Sequence, residues 1–129
     1  MYEMRIKGLG CCPVADRKTV ILEDLAGEKF IPIWLNPVEL QALSFELREP
    51  SPFKPTTHHL LLTILETVRG RIKYLVIHEL RDNVFYASIS LDFGGSEVIV
   101  DCGAFDALML ALKAKAPLYV SQWVMEMAR

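Results

Sequence analysis

Between Val84 and Phe93 the side chains alternate without a break. Phe85, Ala87, Ile89, Leu91 and Phe93 take one face, and Tyr86, Ser88, Ser90 and Asp92 take the other. A period of two over that length fits a half-buried antiparallel strand. Arg81-Asp82-Asn83 precedes the run and Gly94-Gly95-Ser96 follows it, and both are turn-forming clusters. The run therefore needs strand neighbours on both sides. Arg71–Leu80, with Tyr74-Leu75-Val76-Ile77 at its centre, supplies one, and Glu97–Cys102 supplies the other.

The first half reads similarly. Met1–Leu9 is a strand, Gly10–Lys18 a loop, Thr19–Leu25 a strand, Ala26-Gly27 a turn, and Glu28–Leu35 the returning arm of a hairpin. A helix starts at Asn36-Pro37. Asn suits the N-cap, Pro the first helical position, and Glu39 the third, completing a capping box. Leu40, Leu43 and Leu47 recur at helical spacing, and Pro50 and Pro52 stop the helix. Thr56 or Thr57 then caps a second helix running to about Arg69, with Leu60, Leu61, Ile64, Leu65 and Val68 as its apolar stripe and Gly70 as a left-handed stop. A helix over Ala104–Lys115 is apolar on nearly all sides, which predicts burial. Pro117 ends it, Leu118-Tyr119-Val120 is a short strand, and Ser121 caps a last helical segment through Met127.

Setting Gly94 on Gly27 aligns the two halves without gaps. Ile31 and Ile33 then meet Val98 and Val100, Glu39 meets Asp106, Leu43 meets Leu110, and Pro50 meets Pro117. This predicts two β-hairpin–helix units, over residues 19–50 and 86–117, with a central helix between them. The expected fold is one α+β domain over residues 1–129, built on a mostly antiparallel sheet. Exposed strand edges in such a sheet make a homo-oligomer, most simply a dimer, the expected assembly.

Charge and cysteines narrow the function classes. A formal net charge of −2 argues against a strongly basic nucleic-acid platform, though not against a local basic patch. Cys11, Cys12 and Cys102 form neither a disulfide framework nor a zinc spacing, and read as reduced, mostly buried thiols. No secretory signal and no membrane-spanning run is visible, so a soluble cytoplasmic protein is expected.

The segment Lys54-Pro55-Thr56-Thr57-His58-His59 lies between the two halves and carries two of the three histidines. His58 reads either as a structural hydrogen-bonding residue at a helix end or as an acid–base group. His78, on a strand, reads as structural or exposed. Arg69, Arg71 and Lys73 read as a solvated face or a basic patch. Trp34 and Tyr119 suit either burial or base stacking. Glu39 and Asp106, each in the first turn of its helix, read either as caps worth about 0.3–1 kcal/mol each or as two acids converging on one site.

Several dispersed motifs run in a characteristic order: Ile33-Trp34-Leu35-Asn36 with Glu39 and Ala42, then Lys54-Pro55-Thr56-Thr57-His58, then Asp82-Asn83-Val84-Phe85-Tyr86-Ala87. Asp101 and Asp106-Ala107 follow, and then Ala116-Pro117-Leu118-Tyr119-Val120. In this order the chain resembles the bifunctional nuclease family, from its second strand to Val120. The resemblance implies a nuclease that hydrolyses DNA and RNA with low sequence specificity, with nucleic acid as its partner. Phosphodiester hydrolysis needs an activated water and charge neutralisation at phosphorus. The candidates are His58, Asp106, Asp101 and Glu39 as catalytic residues, and Asp101 and Asp106 as ligands for a divalent ion such as Mg²⁺ or Mn²⁺. Lys54 and Thr57 are candidates for binding phosphate, Thr57 through the start of its helix.

The chain also departs from the family pattern. Leu35-Asn36 stands where Ile-Gly is usual. Lys54 replaces an arginine and His59 an aspartate. In Asp101-Cys102-Gly103-Ala104-Phe105-Asp106-Ala107 the usual arginine, proline and serine are replaced by Gly103, Ala104 and Phe105. These losses remove natural phosphate ligands. A second reading is therefore a relative that binds nucleic acid or a protein without cleaving, and a third is a structural or regulatory oligomer.

Overall fold

A computed structural model describes residues 1–12, 17–48 and 57–128. In chain order its elements are β1 (Tyr2–Cys12), β2 (Arg17–Asp24), β3 (Phe30–Trp34), α1 (Pro37–Arg48), α2 (Thr57–Thr67), β4 (Arg71–Arg81), β5 (Val84–Phe93), β6 (Ser96–Gly103), α3 (Ala104–Ala114), β7 (Leu118–Val120) and α4 (Gln122–Met127). The strands form one sheet in the order β3-β2-β1-β7-β4-β5-β6. Among the described strands only the β4–β7 pair is parallel. The fold is α+β with a mostly antiparallel sheet, as the strand pattern led us to expect.

The alternating run is β5, paired on both sides as its turns require. Phe85, Ala87 and Ile89 are buried. Asp82 and Asn83 both adopt positive φ, 52° and 64°, and close the β4–β5 hairpin as a two-residue turn. At the far end the Asp92 carboxylate accepts from the Gly95 N–H and from Arg71 Nε, both at 3.0 Å. The Gly95 amide, and then Arg71, hold this carboxyl below its ordinary pKa.

Three expectations need correction. The expected loop over Gly10–Lys18 is partly strand, because the β1–β2 ladder continues through Gly10↔Thr19 and Cys11↔Lys18 to Cys12↔Arg17. Gly10 tolerates this because a Cβ there would crowd the Thr19 hydroxyl at 3.3 Å. Second, Gly70 is not the left-handed stop of α2. Arg69 takes that conformation at φ 63°, and the Gly70 N–H donates to the Leu65 carbonyl at 2.8 Å. Gly70 is needed for space instead, since a Cβ there would lie 2.5 Å from Phe93 Cε1 and 2.7 Å from Leu65 Cδ1. Third, the residue-by-residue repeat is not supported. Two hairpins are each followed by a helix, but Ile31 and Ile33 are buried while Val98 and Val100 are exposed. Pro50 lies outside the described residues.

α3 lies over the middle of the molecule, against β4, β5, β6 and β7. Its apolar sequence is used as expected: Ala104, Ala107, Leu108, Met109 and Leu110 are all buried. α1 packs on α3 and β2. Lys113 and Glu46 join α1 to α3 at 3.0 Å, with 7% and 10% side-chain exposure. Removing one partner of so buried a pair would leave an uncompensated charge. α2 rests on α3 and β4, yet none of its residues is buried.

The Gly70 contact gives a direct test. Gly70→Ala is expected to lose about 1–3 kcal/mol through overpacking. Gly8→Ala, whose Cβ would meet nothing within 4 Å, should cost no more than about 0.5 kcal/mol. Urea titration of both variants checks this. Equal losses would show that the Gly70–Phe93 approach does not constrain the α2–β4 join.

Candidate active site

The two helices that carry candidate acids begin differently. α1 opens with a complete capping box. The Glu39 N–H donates to Asn36 Oδ1 at 2.7 Å, and the Asn36 N–H donates to Glu39 Oε1 at 3.1 Å. The Glu39 carboxylate is thus turned back on its own helix. α3 opens at Gly103, which has no side chain to cap with and is still paired to Tyr86 as the last residue of β6. Asp106 sits at the same third helical position as Glu39, but its carboxylate turns outward. Its Oδ1 lies 2.8 Å from His58 Nε2 on α2.

His58 is held from two sides. Its side chain is only 12% exposed, while that of Asp106 is 53% exposed. The Phe105 ring meets the imidazole edge-on, with centroids 5.5 Å apart and planes at 83°. Consecutive residues of α3 therefore fix one histidine, Asp106 by hydrogen bonding and Phe105 by packing. With Nε2–H donating to the carboxylate, the neutral ring keeps its lone pair on Nδ1. The arrangement is a histidine–carboxylate dyad.

Two cavities meet at this dyad. One, of about 510 Å³, runs between α2 and the sheet and is lined by Leu61, Ile64, Val68, Leu91, Val100 and Cys102, among others. The second, of about 400 Å³, lies between α1 and α3 and includes Glu39, Phe45 and Met109. Thr57 and His58 line both. The first-turn N–H groups of α2, which lack intrahelical acceptors, start at Thr57. The larger cavity is nearly all apolar. Among the described residues, no Lys or Arg lines either one.

The other candidates stand apart from the dyad. Asp101 faces the opposite side of β6 from its neighbour Cys102, and its Oδ1 accepts from Ser88 Oγ at 3.1 Å. Asp101 and Asp106 therefore do not face one another. Among the described residues, no group of three or more His, Cys, Asp or Glu side chains is placed to hold a metal ion. One carboxylate already bonded to a histidine is a poor donor set for Mg²⁺ or Mn²⁺, which favour several oxygen ligands, so the described residues do not fit the expected metal pair. Lys54 lies outside the described residues. Arg71 and Lys73 are paired with Asp92 and Glu97, at 3.0 and 3.5 Å, on the sheet. His59 accepts from Thr63 Oγ1 through its carbonyl at 3.0 Å.

Sequence reasoning missed Phe105 and Cys102 as neighbours of the dyad. The signal for Phe105 was its place beside Asp106 in the first turn of α3. Burial, and then the charges of Asp106 and Asp101, push the Cys102 thiol up to about 11. Alkylation of Cys102 at pH 8 should therefore run roughly a hundredfold slower than that of a free thiol. The rate should rise about tenfold per pH unit up to that value, and Asp106→Asn should raise it at pH 8. Mass analysis of the Cys102 peptide reads this. Labelling at the free-thiol rate would contradict the placement of Cys102 in the apolar wall.

Residues 20–129 match a family model described as the bifunctional nuclease domain. Among curated proteins, the chain is similar to an uncharacterized protein found in two strains of Mycobacterium tuberculosis. Each match is 26% identical over 128 residues and covers 99% of this chain and 76% of the relative.

Proposed function

Since this chain belongs to the bifunctional nuclease domain family, we propose that it hydrolyses phosphodiester bonds of DNA and RNA with little sequence preference, using His58 and Asp106. The observation that carries this reading is the 2.8 Å contact between His58 Nε2 and Asp106 Oδ1 beside an open cavity. DNA has no 2′-hydroxyl, so a single mechanism for both substrates uses water as the nucleophile. His58 Nδ1 takes a proton from that water as its oxygen bonds to phosphorus. The P–O ester bond breaks, and the imidazolium returns the proton to the leaving oxygen. Asp106 orients the ring and stabilises its charged form without taking the proton itself. The first-turn amides of α2 at Thr57, and Lys54 three residues before it in sequence, neutralise phosphate charge.

In this mechanism Glu39 caps α1 and Asp101 braces β5 against β6, and neither takes part in the chemistry. We place the activity in the cytoplasm, where the three cysteines stay reduced.

One observation favours a second reading. The larger cavity is apolar and without Lys or Arg among the described residues, which, of the two binding alternatives, suits a relative that binds a protein rather than a phosphate backbone, without cleaving it.

Cleavage of DNA and RNA by purified protein, with Mg²⁺, with Mn²⁺ and with chelator, separates the two. His58→Ala and Asp106→Asn are each expected to lower the rate by about 10²–10⁴-fold. Glu39→Gln, which can still form the capping box, should stay within about twofold of the unsubstituted chain. Binding without cleavage by the unsubstituted protein would support the second reading. Cleavage unchanged in both dyad variants would overturn the first.

A further inference from the structure

The two edges of the sheet are built differently. β3, at one end, has five residues with Pro32 at its centre, and a proline cannot offer an N–H to a new strand. β6, at the other end, has eight residues and no proline, and its ladder with β5 runs from Ser96 to Gly103 without a bulge. Its outward backbone groups face no described strand. Edges normally carry free charges, bulges or prolines that discourage pairing. Here both acids of the strand are engaged within the chain: Glu97 pairs with Lys73 and Asp101 accepts from Ser88. Between them lies Val98-Ile99-Val100, with each side chain 41–53% exposed.

α2 borders the same edge, since Ile64 and Val68 share a cavity wall with Val100. Leu60, Ile64 and Val68 recur every fourth residue and form one stripe, and each is more than half exposed. Apolar residues at this spacing normally mark the face that a helix buries. Here the described fold leaves more than half of each of these residues uncovered. Val98 and Val100, on the α2 side of β6 with Cys102, make one apolar surface with the helix stripe beside the larger cavity, while Ile99 lies on the other side of the sheet with Asp101.

We propose that this surface is covered by a second copy of the chain, with β6 pairing antiparallel to its own copy and α2 packing beside its own copy. A two-fold axis normal to the sheet makes the β6 pair antiparallel by symmetry, and it leaves both α2 helices on the same side. One operation therefore satisfies the open backbone edge and the uncovered stripe together. Symmetry also selects for charge. A self-facing patch meets its own charges, and this one has none left unpaired at its centre. A stable interface buries about 800 Å² per partner, and Val98, Val100, Leu60, Ile64 and Val68 would form its apolar core. Register follows from the same rule. Pairing centred on Ile99 would set Glu97 against Asp101 of the second copy, and like charges directly opposite destabilise a sheet. Pairing centred on Val98 sets Glu97 against Ile99 and Ser96 against Val100, and it is the register we assign.

Sedimentation velocity of the full chain, over about 1–100 µM, tests this without any measurement of activity, so it stands apart from the nuclease reading. The unsubstituted protein is expected at twice its 14.6 kDa chain mass, or at a higher multiple if further contacts add to this one. Val98→Glu sets two glutamates across the axis and should yield monomer, and Ile64→Glu on α2 should do the same. Both positions are exposed in the single chain, and circular dichroism confirms that each variant is folded. Val84→Glu, equally exposed but at the β4–β5 turn, should leave the mass unchanged. A monomer at every concentration overturns the inference. So does association that survives in folded Val98→Glu and Ile64→Glu, which would place any interface elsewhere.

Discussion

Three residues hold the sheet together. β7 is Leu118-Tyr119-Val120, and among the described strands it alone touches both halves of the sheet. It runs antiparallel to β1 through Tyr2↔Val120 and Met4↔Leu118, and parallel to β4 through Leu75↔Leu118 and Ile77↔Val120. Leu118 and Val120 are buried, and the Tyr119 ring meets Tyr74 edge-on at 5.8 Å. The carbonyl of Pro117 and the N–H of Ser121 extend this stitch by bonding to Leu75 and Ile77. Without it the strands fall into two separate antiparallel ladders, β3-β2-β1 and β4-β5-β6. The chain reaches β7 directly from α3, through a left-handed Lys115. The stitch therefore also fixes where α3 ends, and so how its first turn meets α2.

That first turn also shows how a helix start decides what its acid bonds to. Glu39 and Asp106 are both acids at the third position of a helix, and the residue at the cap decides what each one does. Asn36 offers a side chain and a free N–H, and so holds Glu39 in a capping box. Gly103 offers no side chain and remains in the β6 ladder, which leaves the Asp106 carboxylate to reach across to His58. The same α3 turn presents Phe105 to the imidazole. A residue that departs from the family pattern thus becomes part of the packing that holds the histidine.

Local pattern made much of this legible. The period-two run gave β5, its turn clusters gave its neighbours, and Asn36, Glu39 and Ser121 marked helix starts that form the bonds expected of them. Sequence failed where one residue type serves two roles. Gly10 reads as a loop residue yet lies in a strand because its neighbour is close. Gly70 reads as a left-handed stop yet is needed for its lack of a Cβ. Long-range placement was not legible at all. Nothing in three apolar residues shows that β7 sits between β1 and β4. His58 and Asp106 were each suggested by resemblance, but their contact spans 48 residues of chain and depends on how α2 and α3 pack. Asp101 was grouped with Asp106 by the family resemblance, and strand alternation sends it to the other side of β6 from Cys102.

The central claim is that His58 and Asp106 act as one proton-moving unit. The most direct measurement is a double-mutant cycle on phosphodiester cleavage, using His58→Ala, Asp106→Asn and the combined variant at one pH and salt concentration. Residues that work as a unit lose their effect together. The combined variant is therefore predicted to cleave no more slowly than His58→Ala alone. Losses that multiply, with the combined variant slower by the product of the two single effects, would show two independent contributions and contradict the dyad.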